Sequence, residues 1–108
     1  MIIGFDIDGV IAESNGGWTS DYYSSCKPNY EVISLMRKIS ESGHKIIIYT
    51  SRLSNEVKGV TVEWLNRYNV PYDAIHFDKP LYDFMLDDKS VNVDDLKGLI
   101  QRERELTL

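Results

Sequence analysis

The first nine residues do most to limit what this chain can fold into. Ile2, Ile3, Phe5 and Ile7 form a short, nearly continuous apolar run closed by Asp8-Gly9, the pattern of a strand buried on both faces of a parallel sheet. Parallel strands need crossover connections, and the rest of the chain supplies them. Val32, Leu35, Met36 and Ile39 recur at i, i+3, i+4 and i+7, which predicts a helix with one buried stripe, stopped by Gly43. Pro28 is placed to open it, where a missing N–H costs nothing. Residues 45–50 read as a second buried strand rich in β-branched side chains. Ser54 then caps a second helix that turns Val57, Val60, Trp64 and Leu65 inward and ends before Pro71. Residues 74–77 make a short third strand, residues 82–86 a fourth ending at Asp87-Asp88, and residues 93–106 a closing helix with a charged outer face.

Strands alternating with helices in this way predict right-handed crossovers and a three-layer α/β/α sandwich around a Rossmann-like parallel sheet. With 108 residues, 43% of them hydrophobic and 27% charged, one core is expected: a single domain over residues 1–108. Residues 13–27 are polar and glycine-containing with interleaved aromatics and read as a loop or flap, placed at about 10–27. Trp18, Tyr22 and Tyr23 either pack that flap onto the body or stack on a substrate ring.

The net charge of −5 would repel a phosphate backbone, so bulk nucleic-acid binding is not expected. Cys26 is the only cysteine and suits a reducing compartment such as the cytoplasm. No His lies near it in sequence to make it a nucleophile. The apolar opening ends at Asp6, too short for a signal peptide's hydrophobic region, and no membrane insertion is expected. His44 and His76 have no metal-ligand spacing and read as structural.

Polar residues fall where strands end: Asp6 and Asp8, then Thr50 and Ser51, then Asp87 and Asp88. In a parallel sheet those ends share one edge, where open α/β folds bind ligands. A carboxylate inside an apolar strand, as at Asp6, is costly unless something pairs with it. Asp-Gly is also a common turn, and Asp-Asp after a strand is often a solvated loop or cap. Four carboxylates converging without a cation would repel one another, and Mg²⁺, which takes one or two carboxylates together with water and substrate phosphate, resolves that conflict. Lys79 follows the third strand, where its charge would neutralise phosphate oxygens and restrain Asp6. Thr50-Ser51 offers a hydroxyl and backbone N–H groups for phosphate oxygens. Arg52 either meets the substrate phosphate or leaving group or sits at the rim.

Asp6-Ile-Asp8-Gly9-Val10 after a hydrophobic strand resembles the first motif of haloacid dehalogenase phosphatases. The other motifs follow in order, with Thr50 matching the second, Lys79 the third and Asp87-Asp88 the acidic fourth. The resemblance implies that Asp6 attacks phosphorus to form an aspartyl-phosphate, and that Asp8 protonates the leaving oxygen and then activates water. It implies Mg²⁺ held by Asp6, the Asp8 backbone carbonyl, and one or both of Asp87 and Asp88. A carboxylate at position 8 marks phosphatases within that superfamily, so dehalogenation is not expected. Residues 9–44 and 52–73 leave no room for a cap domain, which implies a capless member. The phrases Lys-Ile-Ile-Ile-Tyr-Thr-Ser-Arg and Phe-Met-Leu-Asp-Asp-Lys are similar to small phosphatases of capsule or surface-polysaccharide synthesis, and less closely to deoxyribonucleotidases. The sequence departs from its relatives at Ser51, where Ala is frequent, and in showing no clear fifth strand after Asp88.

The implied substrate is a phosphorylated small molecule, a sugar phosphate or nucleotide. A homo-oligomer in which a partner chain covers the open site is one expected arrangement. Three rivals share the residues: a receiver-like module, which gathers the same residue types in a different motif order; a catalytically idle phospho-binding domain; and a phosphotransferase using Asp6 with an acceptor other than water.

Overall fold

The computed structural model describes residues 1–52 and 54–107, with the side chains of 103–107 left aside. The elements run β1 (Ile2–Phe5), α1 (Ser20–Ser25), α2 (Tyr30–Glu41), β2 (Lys45–Tyr49), α3 (Asn55–Arg67), β3 (Ala74–His76) and α4 (Val93–Thr107). The three strands form one parallel sheet in the order β1-β2-β3.

Local chemistry explains most of the boundaries. The Asn29 side chain accepts from the Val32 N–H and caps α2, so the helix opens two residues after Pro28, which instead bridges Ala12. Gly43 takes φ +87°, the left-handed conformation that ends α2 cheaply. Ser54 accepts from the Val57 N–H and caps α3, as expected. The flap is more ordered than a loop. Thr19 Oγ1 accepts from the Tyr22 N–H at 3.1 Å and starts α1.

The register shows which sheet face is covered. Ile2 pairs with Lys45, Ile3 with Ile46, Gly4 with Ile47 and Phe5 with Ile48. Because side chains alternate along a strand, Ile3, Phe5, Ile46 and Ile48 share one face. Phe5, Ile46 and Ile48 are buried there with Ile33, Met36, Trp64 and Leu65 of the helices. The other face carries Ile2, Lys45, Ile47 and Tyr49, of which Ile2 is 70% exposed. Among the described residues the arrangement is therefore a sheet with one covered face. The expectation that β1 is buried on both faces fails: Ile2 and Gly4 on its other face are exposed.

The predicted fourth strand is not formed. Residues 80–92 carry no helix or strand, and Leu81, Phe84 and Leu86 stand in solvent at 83%, 94% and 101% exposure. The outer edge of β1 has no strand partner among the described residues. With one sheet face open, a fourth strand would leave half of its side chains in water, so pairing gains about half the burial of a sandwiched strand.

In α3, Thr61 is fully buried and Val60 only half-buried, which reverses the predicted stripe at that turn. α4 packs through Ile100, with Val93 and Leu96 partly buried. An ion pair between Lys97 and Glu31 ties α4 to α2. The Lys97 hydrogen bond, and next its charge, hold the Glu31 carboxyl below its ordinary range. A depressed carboxyl stabilises the fold above its unfolded pKa and loses that contribution as pH falls through the lowered folded value. Glu31→Gln is expected to flatten the acid side of a Tm-against-pH profile slightly, as an exposed pair allows. An acid limb identical to wild type would show that the pair contributes nothing.

Candidate functional site at the carboxyl edge of the sheet

Past Phe5 the chain turns sharply. The Ile7 carbonyl accepts from the N–H groups of Val10, Ile11 and Ala12 at 3.1, 2.9 and 2.9 Å. Gly9 sits at φ +82° to allow the turn. Ile7, Ile11 and Ala12 are buried in the core, so the turn holds Asp6 and Asp8 rigidly at the strand end. Asp6 Oδ1 accepts from the Ile7 N–H at 2.8 Å.

The other strand ends are stitched together beside it. The Thr50 N–H donates to the His76 carbonyl at 2.9 Å, and the Lys79 N–H donates to the Thr50 carbonyl at 3.2 Å. This extends the ladder beyond β2 and β3 and swings Lys79 towards β1. Lys79 Nζ donates to Asp6 Oδ2 at 3.1 Å, the restraint expected from the sequence. Burial is the largest single influence on this lysine and lowers its pKa. Pairing with the Tyr82 phenol and with Asp6 outweighs it, so the net shift is upward and Lys79 stays cationic.

Asp8 has a different cation. Arg52 Nε and NH2 donate to Asp8 Oδ2 and Oδ1 at 3.0 and 2.6 Å, a bidentate pair. The same guanidinium donates through NH1 to Thr61 Oγ1 at 2.9 Å and lies 3.9 Å from the centre of the Tyr23 ring. Arg52 is only 4% exposed. It does not stand at the rim: its guanidinium is committed internally to Asp8, Thr61 and Tyr23. Tyr23 has its pKa raised, first by burial and next by the Asp8 carboxylate, with Arg52 pulling the other way.

Thr50 is fully buried, and its hydroxyl accepts from the Arg52 N–H at 3.4 Å. Ser51 is half-buried and is the hydroxyl of this turn open to a ligand. Thr61 is a site residue that sequence reading passed over. A Thr on the inner face of a helix, three positions from the inward Trp64, was the available signal. Its hydroxyl also donates to the Val57 carbonyl at 2.7 Å.

Asp87 and Asp88 are not brought to the other carboxylates. Both are exposed, and Asp87 Oδ1 accepts from the Lys89 N–H at 3.0 Å in a local turn. That bond, and next the contact with Asp88, lower the Asp87 pKa. No group of three acidic, His or Cys side chains stands close enough to hold an ion together among the described residues. The predicted quartet of Asp6, Asp8, Asp87 and Asp88 is therefore split, because the strand that would deliver its second half is not paired. Asp6 and Asp87 nonetheless line one cleft of about 1070 Å³ along the free edge of β1, with Gly9, Lys79 and Tyr82 also in its wall. By donor chemistry, carboxylate oxygens suit Mg²⁺.

No helix among the described residues is long and apolar enough to cross a membrane. His44 Nδ1 is 2.8 Å from the Met1 amino group, and His76 belongs to β3. Cys26 is buried.

No protein-family model matches the chain, and no curated protein matches it. Solved structures do. A crystal structure of a structural-genomics target from Vibrio cholerae is similar at 28% identity with a TM-score of 0.71, over 94% of this chain and 98% of that one. A chain of the Pnkp1/Rnl/Hen1 complex is similar at 23% identity and a TM-score of 0.59. A chain of the Pnkp1/Rnl/Hen1 RNA repair complex is similar at 21% and 0.58. Each of the latter two aligns with 94% of this chain, which spans 33% and 31% of those longer chains. At that identity they show a shared fold.

Proposed function

We propose that the chain is a capless, haloacid dehalogenase-type phosphatase that hydrolyses a phosphate monoester through an aspartyl-phosphate on Asp6. The observation that carries this reading is the pairing of Lys79 with Asp6 at 3.1 Å at a sheet edge that also gathers Asp8, Thr50 and Ser51. Residues that follow three parallel strands, in the order the family resemblance requires, stand at one sheet edge, and Lys79 from the third of them reaches the carboxylate that follows the first.

In this reading a bond forms between an Asp6 carboxylate oxygen and phosphorus as the ester oxygen–phosphorus bond breaks. Asp8 delivers a proton to the departing oxygen. In the second half Asp8 takes a proton from water, whose oxygen attacks the phosphoryl group, releasing phosphate and restoring Asp6. Lys79 neutralises charge on the transferring group, and the Ser51 hydroxyl and nearby backbone N–H groups orient its oxygens. Asp6, the Asp8 carbonyl and one or both of Asp87 and Asp88 would hold Mg²⁺, which when bound supplies further charge neutralisation. The three-layer sandwich belongs to this proposal too, with residues 82–86 pairing along β1.

That pairing gives a prediction independent of turnover. Mg²⁺ is expected to slow amide hydrogen exchange in residues 82–88 and along β1. Exchange unaffected by Mg²⁺ would remove Asp87 and Asp88 as ligands.

The substrate class is a phosphorylated small molecule, a sugar phosphate or nucleotide, handled in a reducing, cytoplasmic setting. The RNA repair complex among the similar structures adds an oligonucleotide with a terminal phosphate to the compounds worth testing. The test is phosphate release from such a panel with Mg²⁺ or with EDTA. Release that requires Mg²⁺ supports the reading, and no release from any compound, an aryl phosphate included, overturns it. One observation favours a second reading, a catalytically idle phospho-binding domain: the acidic pair stands apart from Asp6. Phosphate binding without turnover would favour it.

A further inference from the structure

Asp8, Arg52, Thr61 and Tyr23 come from four separate stretches of chain, and three of them converge on one buried guanidinium. The Asp8 carboxylate receives two of its N–H groups, Thr61 of α3 receives a third, and the Tyr23 ring of α1 lies against it at 3.9 Å. The Asp8 side chain is 29% exposed while that of Arg52 is 2% exposed, so the carboxylate faces outward from a clamp that is itself enclosed. An ionised carboxylate has about four lone-pair positions. Arg52 occupies one on each oxygen and leaves the others free to carry the proton that is delivered to the departing oxygen and later recovered from water.

The flap is fixed to α3 on its far side. Trp64 Nε1 donates to the Cys26 carbonyl at 2.9 Å, and Arg67 NH1 donates to the Ser24 carbonyl at 3.0 Å. Any shift of α1 relative to α3 therefore moves the Tyr23 ring across the Arg52 guanidinium. The guanidinium in turn fixes both oxygens of Asp8.

We infer that Arg52 and Tyr23 are positioning residues for Asp8, so that the flap helix aims the proton-transferring carboxylate instead of binding substrate. This rests on the phosphatase reading above. Proton transfer to the leaving group matters when that group is a poor one, such as an alkoxide, and hardly at all when it is 4-nitrophenolate, which departs unprotonated. Asp8 also serves as base in the second half-reaction, which is common to every ester. A misaimed Asp8 should therefore discriminate between leaving groups in kcat/KM, which ends at phosphoryl transfer to Asp6, whereas general loosening of the fold or loss of a substrate contact should not. Misplacement by about 1 Å at a reacting group costs on the order of 10²-fold.

The experiment compares Tyr23→Phe, Tyr23→Leu and Thr61→Val with wild type on an alkyl phosphate and on 4-nitrophenyl phosphate in Mg²⁺, with circular dichroism melts to confirm folding. Tyr23→Phe, which keeps the ring, should lose less than Tyr23→Leu on the alkyl ester. Tyr23→Leu should lower kcat/KM on the alkyl ester by about 10-fold or more and leave kcat/KM on the aryl ester within about twofold. Thr61→Val should move in the same direction. Equal losses of kcat/KM on both esters would overturn the clamp while leaving the phosphatase in place. Wild-type protein inactive on both esters would overturn the phosphatase reading and the clamp with it.

Discussion

Replacing Asp6 with asparagine is expected to lower phosphate release by about 10³-fold or more, because the change removes the nucleophile while keeping its shape. The new side-chain amide oxygen would still accept from the Ile7 N–H, a bond that the native carboxylate makes at 2.8 Å, and the amide NH2, which cannot accept from Lys79, would replace the other oxygen. The fold should therefore persist. The lost Lys79 pair is worth little to stability, since the Asp6 side chain is 34% exposed and partly exposed pairs contribute modestly. Steady-state release of inorganic phosphate, measured beside a thermal melt, separates the two effects. A variant that melts like wild type and has lost turnover places Asp6 in the catalytic machinery, as the aspartyl-phosphate mechanism requires. Retention of more than about a tenth of the rate would move the nucleophile elsewhere and end the aspartyl-phosphate mechanism.

Trp64→Ala is expected to cost about 3–5 kcal/mol, the range for deleting a large buried aromatic side chain. Trp64 is 1% exposed, its ring stands 4.8 Å from that of Tyr68, and its Nε1–H is bonded to the Cys26 carbonyl. Truncation opens a cavity under α3 and also strips a buried carbonyl of its donor, so two penalties combine. Against a total stability of about 5–15 kcal/mol for a domain of this kind, little would remain. Trp64→Phe keeps most of the volume and loses the hydrogen bond, and about 1–2 kcal/mol is expected. Urea denaturation followed by circular dichroism measures both. A loss below about 1 kcal/mol for the Ala variant would mean that the flap and α3 are not packed as described.

The covered half of this molecule was legible in the sequence and the open half was not. The α2 stripe of Val32, Leu35, Met36 and Ile39 lies buried as its spacing requires, and Ser54 caps α3. Lys79 reaches Asp6 although 73 residues separate them. Where reading failed, the competing effect was tertiary. Residues 82–86 carry a strand-like apolar run, yet a strand needs an edge to pair with and two faces to bury, and here only the edge is offered. The sequence offers Arg52 a substrate phosphate or leaving group, or a place at the rim, and does not show its internal partners. Its commitment to Asp8, Thr61 and Tyr23 depends on three partners that are scattered in sequence.

Spacing and residue type alone therefore determined the alternation of strands and helices, the parallel sheet, and the edge on which Asp6, Thr50 and Lys79 meet. These follow from side-chain periodicity and from the short reach of crossover connections, which are local properties of the chain. Only the tertiary structure decided which sheet face is covered, that Asp87 and Asp88 stand apart from Asp6, and that Asp8 is held by a buried arginine. Those outcomes depend on how burial, desolvation and pairing balance among residues far apart in sequence, and no window along the chain contains that balance.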